Sequence, residues 1–323
     1  MSDREHQPLP AVRLDDGDLP AVEALFNAVF PWKPVPAGFA RWRYGSREIG
    51  GLCVGVRDPA TGRVVAAHGV QLLPATGGVL VGLSVDVMVA SDHQRRGLGA
   101  LMEEQVRIEA ERAGCASLIC FPNPKLASLR AKIPEWQTVL DARAYSVPAG
   151  RFAAASADRA WKATADLPEG IDTLWRAMRK RTPDVVGIDR SRDYLAWRFR
   201  KNPLHRYDWI VPVDRHAPAA AAATKVWVDP VTNERVGDVV ELVALDPSGA
   251  METLLAACRH LRSQSVSRMT LWAPRTVSES ALAGCGFEPD PALARSLQVR
   301  SLAQRPRIDF SKWFLTQSDT DLY

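Results

Sequence analysis

The spacing of apolar positions changes period several times along the chain. Residues 19–30, LPAVEALFNAVF, place Val22, Leu25, Phe26 and Val29 at helical intervals, and PWKPVP then stops the helix. A second short helix is predicted over FARWRY. The period then shortens to that of strands: GLCVGVRD and RVVAAHGVQLLP flank the turn signal PATG and read as a hairpin, and VLVGLSVDVMVA follows as another strand. Next comes a helix with Leu98, Leu101, Met102, Val106 and Ile108 mostly on one stripe, and then ASLICFP, a buried strand. A strand, a helix and a strand at this spacing imply a parallel crossover within a mixed sheet.

The second half repeats the cycle. VVELVALD is strand-like, GAMETLLAACRHLRSQ helical, SRMTLWAP strand-like, and SESALAGCGF ends a short helix in glycine. Set beside residues 83–136, these segments run in step as strand, turn, helix, strand, proline, helix, so a duplicated fold is expected. Residues 149–166, rich in alanine and small polar side chains and without a strong period, are expected to hold the boundary.

Bulk properties narrow the class. A chain of 323 residues, 46% hydrophobic and 24% charged, is globular and long enough for two cores. Its net charge of +4, from 41 basic and 37 acidic residues, is too small and dispersed to argue for nucleic acid. No signal-like or membrane-spanning run is apparent, so a cytoplasmic protein without a membrane partner is expected. The five cysteines, Cys53, Cys115, Cys120, Cys258 and Cys285, lack CxxC spacing and read as buried small hydrophobes, with no metal site expected.

The chemistry concentrates in SDHQRRGLGALM, residues 91–102, at the junction of a strand and a helix. A helix start leaves backbone N–H groups unpaired and carries partial positive charge. Glycine lets the backbone approach a phosphate, and arginine adds charge and a forked donor set. Gln94, Arg95, Arg96, Gly97, Leu98, Gly99 and Ala100 therefore form a candidate pyrophosphate cradle; an ordinary turn with solvated arginines is the alternative. No Rossmann or Walker loop is present. The second copy carries the plain turn DPSGA at this place, so one copy is expected to bind a ligand there and the other not.

The pattern Q/R-x-x-G-x-G/A after a strand and opening an amphipathic helix resembles the acyl-CoA-binding motif of the GNAT superfamily of N-acetyltransferases. The likeness covers residues 11 to about 147 well and the second half more loosely. It implies an α/β protein of the α+β mixed-sheet kind, with two tandem GNAT-like domains. Each is a mostly antiparallel sheet with a central parallel strand pair flanked by helices. Residues 1–150 would form the N-terminal domain with the acyl-CoA site, 151–165 a linker, and 166–323 a degenerate copy that helps form the acceptor site.

The resemblance further implies acetyl-CoA or another acyl-CoA as co-substrate, its pantetheine arm between LSVDVMV and ASLICFP, with Val87, Met88 and Val89 at the thioester. A fixed N–H aimed at the carbonyl oxygen would stabilise developing charge, and the acceptor amine of a small metabolite would attack directly once a base takes its proton. Asp86 is the nearest carboxylate and the candidate base, directly or through water. Strand alternation puts it opposite Val85, Val87 and Val89, and a bulge would reverse its face; a solvated strand aspartate is the alternative. Family members keep an Asn after the next strand and a Tyr on the following helix. Asn123 matches the first, or is turn chemistry before Pro124. Ser128, Leu129 and Arg130 stand where the Tyr would be, so Ser128 or Tyr145 substitutes, the thiolate leaves unaided, or catalytic power is lost.

Three other features complete the reading. His68 and His93 have no metal-spaced partner and receive no catalytic role. RDYLAWRFRKNPLHRYDWIV is expected to be core rather than a stacking platform for a nucleic acid or sugar. The tail WFLTQSDTDLY is expected to be a frayed acidic end, the alternative being a tail docked by Trp313, Phe314 and Leu315. An acyl-CoA-dependent N-acyltransferase is therefore expected, a homodimer being one open assembly. Its rivals are a CoA-binding scaffold without turnover and an aminoacyl-tRNA-dependent transferase with paired GNAT-like domains, which balanced charge disfavours.

Overall fold

The computed structural model describes residues 9–45, 49–153, 159–213, 218–302 and 308–320, apart from the side chains of Lys125 and Leu129. The chain forms two compact units. One comprises Met1–Pro74, Gly78–Cys120 and Arg300–Arg307, the other Ala75–Gly77, Phe121–Val299 and Ile308–Tyr323.

In the first unit the order is β1 (Ala11–Leu14), α1 (Leu19–Val29), α2 (Phe39–Tyr44), β2 (Gly51–Arg57), β3 (Val64–Ala75), β4 (Val79–Val89), α3 (Leu98–Arg112) and β5 (Ser117–Cys120). The five strands lie in the order β1-β2-β3-β4-β5. The pairs β1–β2 and β2–β3 are antiparallel, and β4–β5, joined through α3, is parallel. Helix α1 buries Val22, Leu25 and Phe26 of the predicted stripe together with Leu19, while Val29 is half-buried. The α3 stripe differs from expectation: Leu98, Met102, Val106 and Ala110 are buried with Glu103 and Glu109, whereas Leu101 is exposed. Successive i, i+4 positions keep one side of a helix, and Leu101 stands outside that run.

Helix α2 lies close against the sheet because two glycines clear its path. A Cβ on Gly51 would meet the Tyr44 backbone at 2.4 Å, and one on Gly69 would lie 2.1 Å from Tyr44 Cε1. Tyr44 is thereby pressed onto the sheet and is 3% exposed, which matters for the site below.

The second unit runs α4 (Pro124–Arg130), β6 (Trp136–Asp141), β7 (Ala144–Pro148), β8 (Trp161–Thr164), α5 (Ile171–Arg181), α6 (Arg192–Leu195), β9 (Asp208–Pro212), β10 (Ala220–Val228), β11 (Arg235–Ala244), α7 (Pro247–Ser263), β12 (Arg268–Trp272), α8 (Glu279–Gly284), β13 (Glu288–Pro289) and β14 (Ser296–Ser301). Strand order in its main sheet is β13-β7-β12-β11-β10-β9-β8, with β6 beside β14. The series β8-α5-α6-β9-β10-β11-α7-β12 repeats β1-α1-α2-β2-β3-β4-α3-β5, so the duplication predicted from the sequence is present, and β11–β12 is again the parallel pair.

The division of the chain differs from the linear one expected. Strand β7 lies inside 1–150 yet pairs with β12 from Ala144–Trp272 to Pro148–Arg268, and β8 lies within the expected linker 151–165 and pairs with β9. Near its end the chain returns to the first unit, where Leu302 N–H donates to the Ala116 carbonyl. Exchange of strand segments between halves leaves no single cut in the sequence.

The alanine run Ala220–Ala223, which composition would give to a helix, is a strand buried against α7, whose facing residues Ala250, Ala257 and Cys258 are equally small. Small side chains on both sides let helix and sheet approach closely. The segment around α6 is core, as expected: Tyr194, Leu195, Trp197, Phe199, Tyr207 and Trp209 are buried, and a π-turn over Ala196–Arg200 closes it with Lys201 N–H on the Ala196 carbonyl. All five cysteines are free and buried, and burial pushes the Cys53 thiol up to about 12. Among the described residues no helix is long and apolar enough to cross a membrane.

Substituting Gly69→Ala should drive Tyr44 from its seat and destabilise the fold by about 1–3 kcal/mol, the usual cost of overpacking. A denaturant midpoint equal to wild type would contradict this packing.

Candidate functional site

The site begins where β4 leaves β5. Their ladder pairs Val81 with Ser117, Gly82 with Leu118 and Leu83 with Ile119, while β4 continues to Val89. The ladder ends at Leu83, one residue before β5 itself ends, and six further residues of β4 lie beyond it.

Asp86 sits in that stretch with φ 52°, a left-handed conformation in the middle of a strand. Such a residue breaks the two-residue alternation and costs about 1–3 kcal/mol unless its surroundings hold it. Here they do. Arg43 Nε and Tyr44 OH both donate to Asp86 Oδ2, and Arg43 Nη2 reaches Oδ1 at 3.3 Å. The Arg43 and Asp86 side chains are 3% and 10% exposed. Burial, and next the Asp86 carboxylate, hold the Tyr44 hydroxyl well above the ordinary tyrosine range, so it remains a donor. The bulge turns Asp86 to the side of α2, a face that strand alternation alone did not fix. Nothing in the primary pattern marked Arg43 and Tyr44 as its partners; the signal was an arginine on the buried side of the short helix FARWRY.

Beyond Val89 the chain makes a 3₁₀ turn over Ser91–His93 and enters the loop Gln94–Gly97. Gln94 Nε2 donates back to the Val89 carbonyl at 3.3 Å, Arg96 Nη2 to the Asp92 carbonyl at 2.9 Å, and Asp92 pairs with Arg63 at 2.6 Å. Hydrogen bonds from His93, then Arg63, hold the Asp92 carboxyl down at about 2. Arg95 and Gly97 have φ of 64° and 76°. Two left-handed residues so close together curl the backbone into α3, whose N-cap is Gly97.

That helix start suits an anion. No side chain caps it and no acidic residue lies in its first turn. A Cβ placed on Gly97 or Gly99 would meet nothing within 4 Å, so the approach to the N–H groups is open. Arg95 and Arg96 are exposed beside it. The corresponding start of α7 is sealed: Asp246 accepts from Gly249 N–H at 2.8 Å, and Pro247 follows it. One helix start is capped by its own carboxylate and the other carries no side-chain cap.

Val87, Met88 and Val89 follow the bulge on β4. Asn123, Ser128 and Tyr145 belong to the second unit. Asn123 Oδ1 accepts from Leu126 N–H at 2.9 Å and so caps α4, while Ser128 Oγ donates to the Pro124 carbonyl at 2.9 Å within that helix. Tyr145 lies buried on β7, opposite Leu271 of β12, with the Arg143 guanidinium 5.9 Å from its ring centre. A buried set near β4 was passed over in the sequence: His68 Nε2 lies 2.8 Å from Ser84 Oγ, with Glu103 3.8 Å from Nδ1. His68 is fully enclosed, which makes this a core network. Among the described residues no cluster of His, Cys, Asp and Glu could hold a metal ion.

No protein-family model and no curated protein matches the chain. Solved structures do. A GCN5-related N-acetyltransferase from Anabaena variabilis superposes with a TM-score of 0.67 at 10% identity, over 91% of this chain and 73% of its own. Eis1 from Mycobacterium abscessus gives 0.57 at 15%, over 91% and 74%. A tandem GNAT protein from the clavulanic acid biosynthesis pathway gives 0.59 at 15%, over 93% and 100%. At these identities the likeness establishes the fold, which is that of tandem GNAT proteins.

Replacing Arg43 by Met should leave Asp86 buried without its cation and destabilise the protein by about 3–5 kcal/mol. Equal denaturant midpoints for wild type and Arg43→Met would contradict the role given to this pair.

Proposed function

We propose that the chain is an acyl-CoA-dependent N-acyltransferase whose first unit binds acetyl-CoA or another acyl-CoA and passes the acyl group to an amine of a small metabolite. The observation that carries this reading is the uncapped, glycine-opened start of α3, set directly behind the strand that parts from its parallel neighbour. The exposed N–H groups, with Arg95 and Arg96, suit a diphosphate, and the β4 backbone past the bulge, Val87–Val89, offers edge N–H and C=O groups to an extended amide-bearing arm.

In the reaction the amine nitrogen attacks the acyl carbonyl, the C–N bond forms, the C–S bond breaks and CoA leaves as the thiolate; the proton shed by the nitrogen passes to solvent water and the thiolate takes one up from it, so the products are the amide and the CoA thiol. Asp86 is better suited to hold the bend than to take that proton, because Arg43 and Tyr44 already occupy its carboxylate. It is a positioning residue in this reading. A second reading, CoA binding without turnover, is favoured by the local bonds that Asn123 and Ser128 make within their own helix segment.

Acetyl-CoA at a hundred times its dissociation constant should add about 2.7 kcal/mol of stability, read as a rise in Tm, and Gly99→Glu should abolish the rise. Thiol release with a panel of amines separates transfer from mere binding. If Asp86 only positions, Asp86→Asn lowers kcat and keeps the shape of the pH profile; loss of the acidic limb would make it the base. No shift with any acyl-CoA would overturn the proposal.

A further inference from the structure

The last described residues, Thr316, Gln317, Ser318, Asp319 and Thr320, are all polar and all at most 2% exposed. A folded chain buries such a run only when its groups find partners. The frayed acidic end expected from the sequence is thereby corrected: the tail is docked, though Asp321 lies outside the described residues.

The docking begins with aromatics. Trp313 bridges to Val186, Phe314 N–H donates to the Val186 carbonyl at 2.6 Å, and the Phe314 ring stands on Trp175 with centroids 5.5 Å apart. Past them the chain closes a turn in which Asp319 Oδ2 accepts from Thr316 N–H and from Arg190 Nη2, both at 2.8 Å. The turn then bonds to the parallel strand pair itself. Ser318 Oγ donates to Glu241 Oε2 on β11 at 2.7 Å, and Gln317 Nε2 to Thr270 Oγ1 on β12 at 3.1 Å. Arg198 Nη2 donates to the Thr320 carbonyl, and Tyr194 OH to that of Ser318.

The position becomes clear when the two copies are aligned on Gly82 and Gly237, each in its parallel ladder. Asp86 then corresponds to Glu241. The β11–β12 ladder ends at Val239–Leu271 while β11 runs on to Ala244, and the register with β10 slips by one residue at Val240. The first copy bends at Asp86 and the second slips register at Val240, one position earlier in this alignment, and in each the parallel ladder ends before its longer strand does. Trp42–Arg43 in α2 likewise corresponds to Trp197–Arg198 after α6. In the first copy the arginine closes on the acid. In the second, Glu241 takes Arg190 and Ser318, and Arg198 takes a tail carbonyl, so the corresponding residues hold the tail.

We infer that the parting of β11 and β12 is a built peptide site whose ligand is this chain's own segment Trp313–Thr320, and that the second unit therefore accepts no acyl-CoA. The start of α7, which follows β11 in the chain, is capped by its own Asp246 and so presents a carboxylate where a diphosphate would need bare N–H groups. The exclusion of acyl-CoA rests on the proposed function of the first unit; occupation by the tail does not.

Hydrogen exchange on the intact chain, with and without acetyl-CoA, together with a count of acetyl-CoA bound per chain by native mass spectrometry, tests this. The Phe314, Thr316, Asp319 and Thr320 amides should exchange at least about a hundredfold more slowly than free peptide and stay slow at saturating acetyl-CoA. One acetyl-CoA should bind wild type and none Gly99→Glu, a substitution into open space. Two bound per chain, one remaining on Gly99→Glu, tail amides exchanging at the free-peptide rate, or protection lost on adding acetyl-CoA would each overturn the inference. If wild type binds none, the reading of the first unit fails, and the tail amides alone decide the second.

Discussion

The bend of β4 in the first unit depends on one buried carboxylate. A strand residue with φ 52° is unfavourable by itself, and Asp86 persists there because Arg43 and Tyr44 close on it from α2. That helix can come near enough only because Gly51 and Gly69 present no side chain. Past the bend β4 runs on beyond its ladder with β5, and the chain then enters the Gln94–Gly97 loop and the start of α3. Remove the ion pair and the bulge loses what compensates its strain.

The second unit shows the same device put to another use. Its bulge, its acid at the corresponding position and its Trp-Arg pair are retained, but the acid and the arginine bond to a chain segment. Its helix start carries its own carboxylate where the first offers bare N–H groups. Duplication kept the framework, since the core packing of both copies requires it, and the copies diverged where a ligand would touch.

Much of this was legible in the sequence. Strong periods gave α1, the β2–β3 hairpin and the α3 and α7 crossovers, and QRRGLG marked the helix start. What stayed hidden depended on distant partners. The Ala220–Ala223 strand is set by the small residues of α7, which local propensity does not register. Strand β7 joins a sheet formed mostly by later residues, so no composition shift announces it. Order along the chain, which placed Asn123, Ser128 and Tyr145, carries no information on their bonds: Asn123 caps α4, Ser128 donates to the Pro124 carbonyl within that helix, and Tyr145 lies in β7 opposite Leu271. The tail was misjudged because burial of TQSDT needs Arg190, Glu241 and Thr270, residues far away in sequence.

The most direct test is a residue-resolved amide map of CoA binding by NMR. The account predicts that CoA moves the Gly97–Gly99 and Val87–Val89 resonances together, that pantetheine, which lacks the diphosphate, moves only the latter, and that Gly249 and Glu241 stay still. Shifts centred on Gly249 and Glu241, with Gly97–Gly99 unmoved, would contradict it.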